Sequence, residues 1–545
     1  MMKRNKGWFI AVVCFLLVLT ACSSGSGNSG SSAGSPSAGE QPTATNSPSA
    51  SADNGNDGHD RSKKFTITAI DFRYPAAIPP ATGRGLDMIN EKFNIDFKPQ
   101  FVVINDYMQK LSANVASGEV PDIMTMEGPI ANYYKWAKQG AFLPLNDYID
   151  QYPTLKLVPD YVWKSMTLDG KIYAIPRYYP SSYLGSPIIR QDWLDKLGLK
   201  MPTNYEELKE VALAFTKNDP DGNNKQDTYG IAISEYINPA YELGGYWEFR
   251  SWYHQDEAGN YIPNFISDAR KEHIEWLAGL EKEGALTPNS AVVNASQATK
   301  DFFSGKAGIW IGSPRGMDEA AYNELLKINP GAKIEPIGPF VAPDGEQGFM
   351  AYKAYYGMTM LSAELAKDPD KLHRALEFLD FGRTFYPLDE RNKSNPDYDW
   401  MYGNEGTGYK VEDGAVKAES AEKGLAPVNF YIDGLMWAPS DDANEYSKTY
   451  KSPVVKELAE KLENMHKNTK HFINPIYQIF SDTYISKGSE LDMFLYEEQT
   501  KMIFGQRPIS DWGKMVQEWK DKGGDKLIQE VNESMKANGV KGEYR

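Results

Sequence analysis

The chain has 545 residues, which is too long for one ordinary hydrophobic core, so two or more domains are expected. Lysine and arginine number 58 against 74 aspartates and glutamates, and this net charge of −16 makes the chain a poor candidate for nucleic-acid binding, which requires a basic surface. With only two cysteines, Cys14 and Cys22, the sequence also excludes a disulfide framework and a cysteine-rich zinc site.

The first 22 residues have the layout of a bacterial export signal. Basic residues at positions 3–6 precede an apolar run at 8–19, which is shorter than the roughly 20 residues that a stable membrane span needs. The run ends in Leu19-Thr20-Ala21-Cys22, which resembles the lipobox of bacterial lipoproteins. We therefore predict a signal peptide over 1–21 and a lipid on Cys22. An ordinary signal peptide with an incidental cysteine is the alternative.

A polar segment over residues 22–62 follows the predicted cleavage point. Beyond the cysteine it consists mainly of Ser, Gly, Ala, Pro, Thr and Asn, and it contains no Phe, Trp or Tyr. Such a segment cannot bury enough apolar surface to offset its ordering entropy, so we expect a disordered tether. Lipid and tether together predict a protein at the extracellular face of the cytoplasmic membrane, attached to the membrane by the lipid anchor only.

Strand-like and helix-like patterns alternate beyond the tether. Residues 65–69 alternate apolar and polar side chains, as a half-buried strand does. A helix is expected between a cap at Asn105 and a stop at Gly118. A capping box at 203–206 and the cap Asp368 before a proline predict the starts of two later helices. This repeated alternation predicts an α/β protein with mostly parallel sheets.

Five stretches spread over the folded region carry a family resemblance. In chain order they are LSANVASGEVPDI (111–123), DGKIYAIP (169–176), RQDWLDKLG (190–198), FFSGKAG (302–308) and GQRPISDW (505–512). In this order, behind a lipobox-like motif and a tether, they resemble family 1 extracellular solute-binding lipoproteins, the capture subunits of ABC-type carbohydrate importers. The chain is most similar to the large oligosaccharide-binding branch of that family in Gram-positive bacteria.

The resemblance implies a two-lobe, periplasmic-binding-protein-like (type II) α/β fold with a hinge between the lobes. We expect residues 63–185 and 340–440 in the first lobe, and residues 186–339 and 441–545 in the second. An oligosaccharide ligand would bind between them, where the strands of α/β sheets end. The resemblance also implies an ABC permease pair and a separate ATPase as partners. We expect a monomer that binds no nucleic acid.

A loop at 219–227 carries oxygen ligands at the spacing of a calcium loop. Side-chain oxygens at positions 1, 3, 5 and 9 and a carbonyl at position 7 come from Asp219, Asp221, Asn223, Asp227 and Lys225. Position 12, which holds a bidentate carboxylate in a full EF-hand, is a glycine, and a turn without an ion is the alternative. Oligosaccharide binders of the family hold a structural Ca²⁺ in a similar loop, so the resemblance implies structural calcium here.

Sugars present apolar faces and hydroxyl rims, which flat aromatic rings and charged side chains recognise. Candidate side chains stand where strands should end or loops run. They are Glu127, Arg177, Tyr178, Trp247, Trp252, Trp310, Arg315, Tyr355 and Trp437, and Tyr179 and Tyr356 are further candidate rings. The two arginines would suit an acidic sugar, because a guanidinium group pairs with a carboxylate through two hydrogen bonds. Surface salt bridges and contacts with neutral hydroxyls are the alternatives.

Two other function classes fit parts of the sequence. A secreted carbohydrate-active enzyme needs two carboxylates across a cleft, which 74 acidic residues permit, but no metal-hydrolase motif is present. A cell-surface peptide-binding protein would use the same anchor and tether without needing the five importer-like stretches. We therefore predict capture without catalysis and name no catalytic residue. Recovery of the ligand unchanged would distinguish a capture protein from an enzyme.

Overall fold

A computed structural model describes residues 59–74, 78–183, 185–238, 243–412 and 415–545 of the chain. The predicted signal peptide, Cys22 with its predicted lipid, and residues 22–58 of the predicted tether lie outside the described residues. In the part of the chain that is described, no helix is both long enough and apolar enough to cross a membrane.

Sixteen strands are found among the described residues. In chain order they are β1 (Phe65–Arg73), β2 (Ile95–Val103), β3 (Ile123–Met126), β4 (Thr167–Leu168), β5 (Lys171–Ile172), β6 (Ile175–Tyr178), β7 (Ser186–Arg190), β8 (Tyr229–Ile231), β9 (Ala307–Gly312), β10 (Ile334–Pro336), β11 (Phe349–Met350), β12 (Tyr355–Leu361), β13 (Tyr409–Glu412), β14 (Ala415–Ala418), β15 (His471–Ile473) and β16 (Glu543–Tyr544).

Sixteen α-helices alternate with the strands over the same described ranges. They are α1 (Arg84–Phe93), α2 (Ile104–Ser117), α3 (Ala131–Lys138), α4 (Pro153–Lys156), α5 (Asp160–Ser165), α6 (Gln191–Leu197), α7 (Tyr205–Lys217), α8 (Asp268–Lys282), α9 (Ala295–Phe303), α10 (Glu319–Ile328), α11 (Pro369–Gly382), α12 (Pro396–Met401), α13 (Pro453–Lys467), α14 (Asp482–Ile503), α15 (Trp512–Trp519) and α16 (Asp525–Ala537). The α/β class expected from the sequence is confirmed.

The first of two main sheets has the strand order β2-β1-β3-β12-β6. β1 pairs in parallel with β2 and β3, whereas β12 runs antiparallel to β3 and to β6. β12 begins at the edge where β3 and β6 end, so that Tyr355 pairs with Tyr178 and Met358 with Met126. One edge of this sheet therefore collects the ends of β1, β3 and β6 and the start of β12.

The second main sheet has the order β10-β7-β9-β8. β8 and β9 are parallel, but β7 runs antiparallel to both β9 and β10. In each main sheet every strand but one runs in the same direction, so the sheets are mostly parallel as expected, with β12 and β7 as the single antiparallel strands. After the chain crosses from one main sheet to the other, β7 is the first strand that joins the second sheet, and β12 is the first that returns to the first sheet. Each runs antiparallel to both of its neighbours.

The buried side chains form separate clusters around the two sheets. One cluster draws on residues 65–175 and 354–437 and packs against the first sheet. Two further clusters draw on residues 188–349 and 455–535 and contain the side chains of the second sheet. The chain therefore passes between the two sets of buried side chains near residues 176–187, 350–353 and 438–454.

The predicted helix ends are partly confirmed. Gly118 ends α2 in the left-handed conformation, and the Asp368 carboxylate caps α11 by accepting from the Lys371 backbone NH at 3.2 Å. The cap at Asn105 is wrong, since α2 begins one residue earlier without a side-chain cap. α7 is capped by Asn204, whose Oδ1 accepts from the Glu207 NH at 2.9 Å, one position later than the predicted box.

Candidate functional site

Four tyrosines stand side by side at the edge where β1, β3 and β6 end. The ring centroids of Tyr74 and Tyr356 are 6.0 Å apart, those of Tyr356 and Tyr179 are 6.3 Å apart, and those of Tyr179 and Tyr352 are 5.1 Å apart. All four rings are exposed or half-buried, and Tyr74 is 42% exposed. We call these four residues the tyrosine row. A line of accessible rings with hydroxyl groups offers both an apolar surface and hydrogen-bond partners.

Charged side chains stand along the tyrosine row. The Glu127 carboxylate accepts hydrogen bonds from the hydroxyl groups of Tyr74 and Tyr356, the latter at 3.4 Å. The Arg315 guanidinium follows β9 of the second sheet and lies 4.6 Å from the ring centroid of Tyr179. A cation over a ring face is attracted to its π electrons. The row thus joins residues that follow strands of both main sheets.

A second charged group lies near the Tyr352 end of the row. Burial raises the pKa of the Tyr352 phenol, and Arg250 opposes that rise through its positive charge. Burial raises the pKa of the Glu248 carboxyl and raises the pKa of the Asp492 carboxyl to about 6. The positive charge of Arg250 opposes both rises. Arg250 Nη2 also donates to the Tyr496 hydroxyl at 2.9 Å. These carboxyl groups are therefore weaker acids than in water.

The predicted ligand residue Arg177 lies in a buried ion network beneath the row. Its Nη1 is 3.3 Å from Asp71 Oδ1, and its Nε is 4.0 Å from Asp433 Oδ1. The same carboxylates pair with Arg73 and with Arg383, whose Nη1 is 2.5 Å from Asp433 Oδ2. Arg177 is buried and holds the ends of β1 and β6 together, so the structure does not place it on the accessible surface of the row.

Two predicted aromatic residues face the opposite side of the segment at 178–179. Tyr178 has its ring centroid 5.4 Å from that of Trp437, and its hydroxyl donates to Asp441 at 2.7 Å. Both rings line a cavity of about 370 Å³ together with Tyr161, Ser181 and other residues. Successive side chains of an extended segment point in opposite directions, which separates Tyr178 from Tyr179. The tyrosine row and this cavity are therefore different surfaces.

The remaining predicted residues divide between the row and the core. Glu127 and Arg315 are exposed and lie on the tyrosine row. Four predicted aromatic residues are buried in the hydrophobic clusters and away from the row's surface: Trp247, Trp252, Trp310 and Tyr355. Tyr179 and Tyr356, which were further candidate rings, lie on the row, whereas Tyr74, Tyr352 and Lys353 were not predicted. The alternation of side chains along β12 and past the end of β6 was the signal that separates Tyr356 from Tyr355 and Tyr179 from Tyr178.

The predicted calcium loop turns around Asn223. Its amide Nδ2 donates to Asp221 Oδ2 at 2.8 Å and to Asp227 Oδ1 at 3.0 Å, and the Lys225 NH donates to its Oδ1 at 2.7 Å. Asp219 Oδ1 accepts from the Asn223 NH at 3.2 Å. Burial and the neighbouring Asp219 raise the pKa of the Asp221 carboxyl. The oxygen-rich donor set fits the chemistry of a hard cation.

No group of three or more His, Cys, Asp or Glu side chains is placed to hold a metal ion anywhere in the described ranges. In the loop, Asn223 occupies the space between Asp221 and Asp227 through hydrogen bonds. The predicted ligands are thus neighbours in a compact turn, in which the side-chain oxygens of Asp219, Asp221, Asn223 and Asp227 accept hydrogen bonds from the loop itself.

A family model and two relatives match this chain. The model for bacterial extracellular solute-binding proteins matches residues 78–384. The polygalacturonan/rhamnogalacturonan-binding protein YtcQ of Bacillus subtilis (strain 168) is 29% identical over 466 residues, which cover 84% of this chain and 89% of the relative. Lipoprotein LipO of the same strain is 27% identical over 450 residues, which cover 80% of this chain and 86% of LipO.

A solved structure is also similar to this chain. It is the alginate-binding protein AlgQ2 without calcium ion, which has a TM-score of 0.57 and 20% identity and covers 86% of this chain and 97% of its own. At this identity the likeness concerns the fold. It confirms the predicted α/β fold with two domains of the solute-binding type.

Proposed function

This chain belongs to the bacterial extracellular solute-binding protein family, and we propose that it captures an oligosaccharide between two lobes and delivers it to an ABC importer. The observation that carries this proposal is the tyrosine row, because accessible rings bearing hydroxyl groups match the apolar faces and hydroxyl rims of a sugar chain. YtcQ and AlgQ2, which are similar to this chain, are named for binding polysaccharides.

The ligand would lie between a first lobe of residues 63–185 and 340–440 and a second lobe of residues 186–339 and 441–545. Separate clusters of buried side chains around the two main sheets support this division. The tyrosine row belongs to the first lobe and its hinge segments, and Arg315 approaches it from the second. A sugar that contacts both sides stabilises the closed form, because a ligand shifts a conformational equilibrium by its differential affinity for the two states.

Capture would take place at the outer face of the cytoplasmic membrane. The lipobox-like motif at Cys22 and the polar tether support a lipid anchor, and the similar protein LipO is named a lipoprotein. A permease pair and a separate ATPase on other chains would take up the sugar from the closed form. The protein would act as a monomer and leave the sugar chemically unchanged.

The loop at 219–227 would hold a structural Ca²⁺. Its ligands would be the side chains of Asp219, Asp221, Asn223 and Asp227 and the carbonyl of Lys225, which supply the oxygens that calcium prefers. The bound ion would neutralise the clustered carboxylates and hold the loop between α7 and β8. None of these residues lies on the tyrosine row, so the role is structural.

The proposal is tested by ligand screening of the chain from residue 23 onward, which keeps the whole folded region. A thermal-shift screen against neutral and acidic oligosaccharides should find one class that stabilises the protein by about 2.7 kcal/mol at 100 times its Kd. The glycan should be recovered intact. A shift with peptides alone would contradict the sugar proposal, and cleavage of the glycan would indicate an enzyme.

Matched tyrosine variants test whether the row is the binding surface. Tyr179→Ala and Tyr356→Ala should each weaken sugar binding by about 1–2 kcal/mol, roughly 5- to 30-fold, because each removes one ring under the sugar. Tyr161→Ala is the control, since its ring lines the cavity and not the row. Calorimetry measures the affinities. Equal affinities for the two row variants and the control would place the sugar elsewhere.

A further inference from the structure

Lys353 brings a positive charge to the tyrosine row. It lies between β11 and β12, directly after Tyr352. Its Nζ is 4.6 Å from the ring centroid of Tyr355 and 5.9 Å from that of Tyr352. A Cβ added to Gly128, in the loop after β3, would lie 3.6 Å from this Nζ. The ammonium group therefore sits between the row and the loop that carries Glu127.

This ammonium group has no hydrogen-bond or ion-pair partner among the described residues. Burial lowers the pKa of Lys353, and the negative charge of Glu127 only partly opposes this. Another half-buried lysine is paired, since Lys371 Nζ lies 2.7 Å from a carboxylate oxygen of Asp122. A desolvated cation without a partner costs free energy, which an anionic ligand would recover.

Glu127 is engaged by other groups. Its carboxylate accepts from the hydroxyls of Tyr74 and Tyr356, and it forms no ion pair with Lys353. Arg315 lies over Tyr179 of the row, and the positive charge of Arg250 acts on the Tyr352 phenol. Of the nearby carboxyl groups, Glu248 and Asp492 are made weaker acids by burial. The polar surroundings of Lys353 therefore leave it available to an anion.

The backbone around Lys353 is held in place before any ligand binds. The Tyr352 NH donates to the Ser181 carbonyl at 2.7 Å, and the Ala354 carbonyl accepts from the Tyr179 NH at 3.2 Å. Ala354 has a φ of 63°, a left-handed conformation that is strained for an alanine. Such strain persists only where the surrounding structure enforces it, and it is common at ligand sites.

We propose that Lys353 recognises a carboxylate group, so that the oligosaccharide bound on the tyrosine row is acidic and contains uronic acid units. The proposal rests on the proposed function, since it names the class of sugar for the same site. The sugar rings would lie on the tyrosines, and one carboxylate would reach Nζ of Lys353 as its missing partner. Arg315, which lies over Tyr179, and the positive charge of Arg250, which acts on Tyr352, would favour the same negatively charged ligand.

Paired ligands test this proposal in the chain from residue 23 onward. Hexamers of galacturonic, mannuronic and guluronic acid are compared by calorimetry with their methyl esters, which keep the sugar chain and remove the charge. One hexamer should bind about 10- to 100-fold more tightly as the acid than as the ester, the range expected for hydrogen bonds to a charged group. Tighter binding of the ester, or of neutral oligosaccharides only, would overturn the acidic class and leave sugar capture standing. Binding of no oligosaccharide would overturn both proposals.

Lys353→Met isolates the lysine, because methionine keeps an unbranched apolar stem and removes the charge. The variant should lose most of the preference for the acid over the ester, while its affinity for the ester stays unchanged. Lys467→Met, at the cavity on the other side of the hinge segment, is the control and should leave both affinities unchanged. An equal loss for acid and ester in Lys353→Met would show packing alone and overturn the proposal.

Discussion

Acidification should destabilise this protein through a buried pair of histidines. His466 Nε2 lies 2.9 Å from Ser186 Oγ, and its Nδ1 lies 3.1 Å from His471 Nε2. Only 2% of His466 and 7% of His471 is exposed. Burial and, as the smaller cause, the charge of His471 lower the pKa of His466 to about 3. Burial also lowers the pKa of His471.

The magnitude follows from the difference between folded and unfolded chains. An unfolded histidine takes up a proton below a pKa of about 6.5, whereas folded His466 stays neutral until about pH 3. The unfolded chain therefore binds more protons, and the free energy of unfolding decreases as the pH falls below about 6.5. At about pH 5, His466 alone should cost about 2 kcal/mol of stability relative to about pH 7.5. His471 acts in the same direction.

Urea unfolding at the two pH values measures this loss. His466→Gln keeps an amide for hydrogen bonding and removes the titrating group, so its loss on acidification should be smaller than the wild-type loss by about 2 kcal/mol. Ser186→Ala is the control, because it removes a hydrogen-bond partner and keeps the histidine. It should lower the stability at both pH values and retain the wild-type loss. An equal loss in His466→Gln and wild type, or a His466 NMR titration near pH 6, would refute the reasoning.

Three further predictions concern the ion network, the loop and a close backbone contact. Asp71→Asn should lower the free energy of unfolding by about 3–5 kcal/mol in denaturant titrations, because it leaves two buried arginines short of a counter-charge. The control is Asp96→Asn at an exposed ion pair, which should change the free energy of unfolding by less than about 0.5 kcal/mol. Calcium should raise the melting temperature of the wild-type chain over that measured with chelator, and Asp221→Asn should reduce the difference. Absence of a calcium effect would contradict the proposed ion. Gly85→Ala should lower the free energy of unfolding by about 1–3 kcal/mol, since the added Cβ would lie 2.5 Å from the Ala426 carbonyl oxygen. The control is Gly513→Ala, which has open space around its Cβ and should be neutral or slightly stabilising.

Features that depend on short stretches of chain could be predicted from the sequence. The alternation of side chains at 65–69 predicted β1, and Gly118 and Asp368 predicted helix ends that the structure confirms. The family stretches predicted the two-domain α/β fold that the comparison confirms. Each of these signals is contained in a few consecutive residues, because periodicity, capping and short motifs are local properties of the chain.

The side chains that form the candidate site were decided by tertiary structure. Arg177 is a plausible sugar ligand in the sequence, but Asp71 and Asp433, which are distant along the chain, pair with it beneath the row. Tyr179 and Tyr356 face the row while their neighbours Tyr178 and Tyr355 do not, because strand pairing at one edge of the first sheet sets which face each residue takes. A one-residue change in that register would exchange the two faces, and the pairing of β12 with both β6 and β3 specifies it.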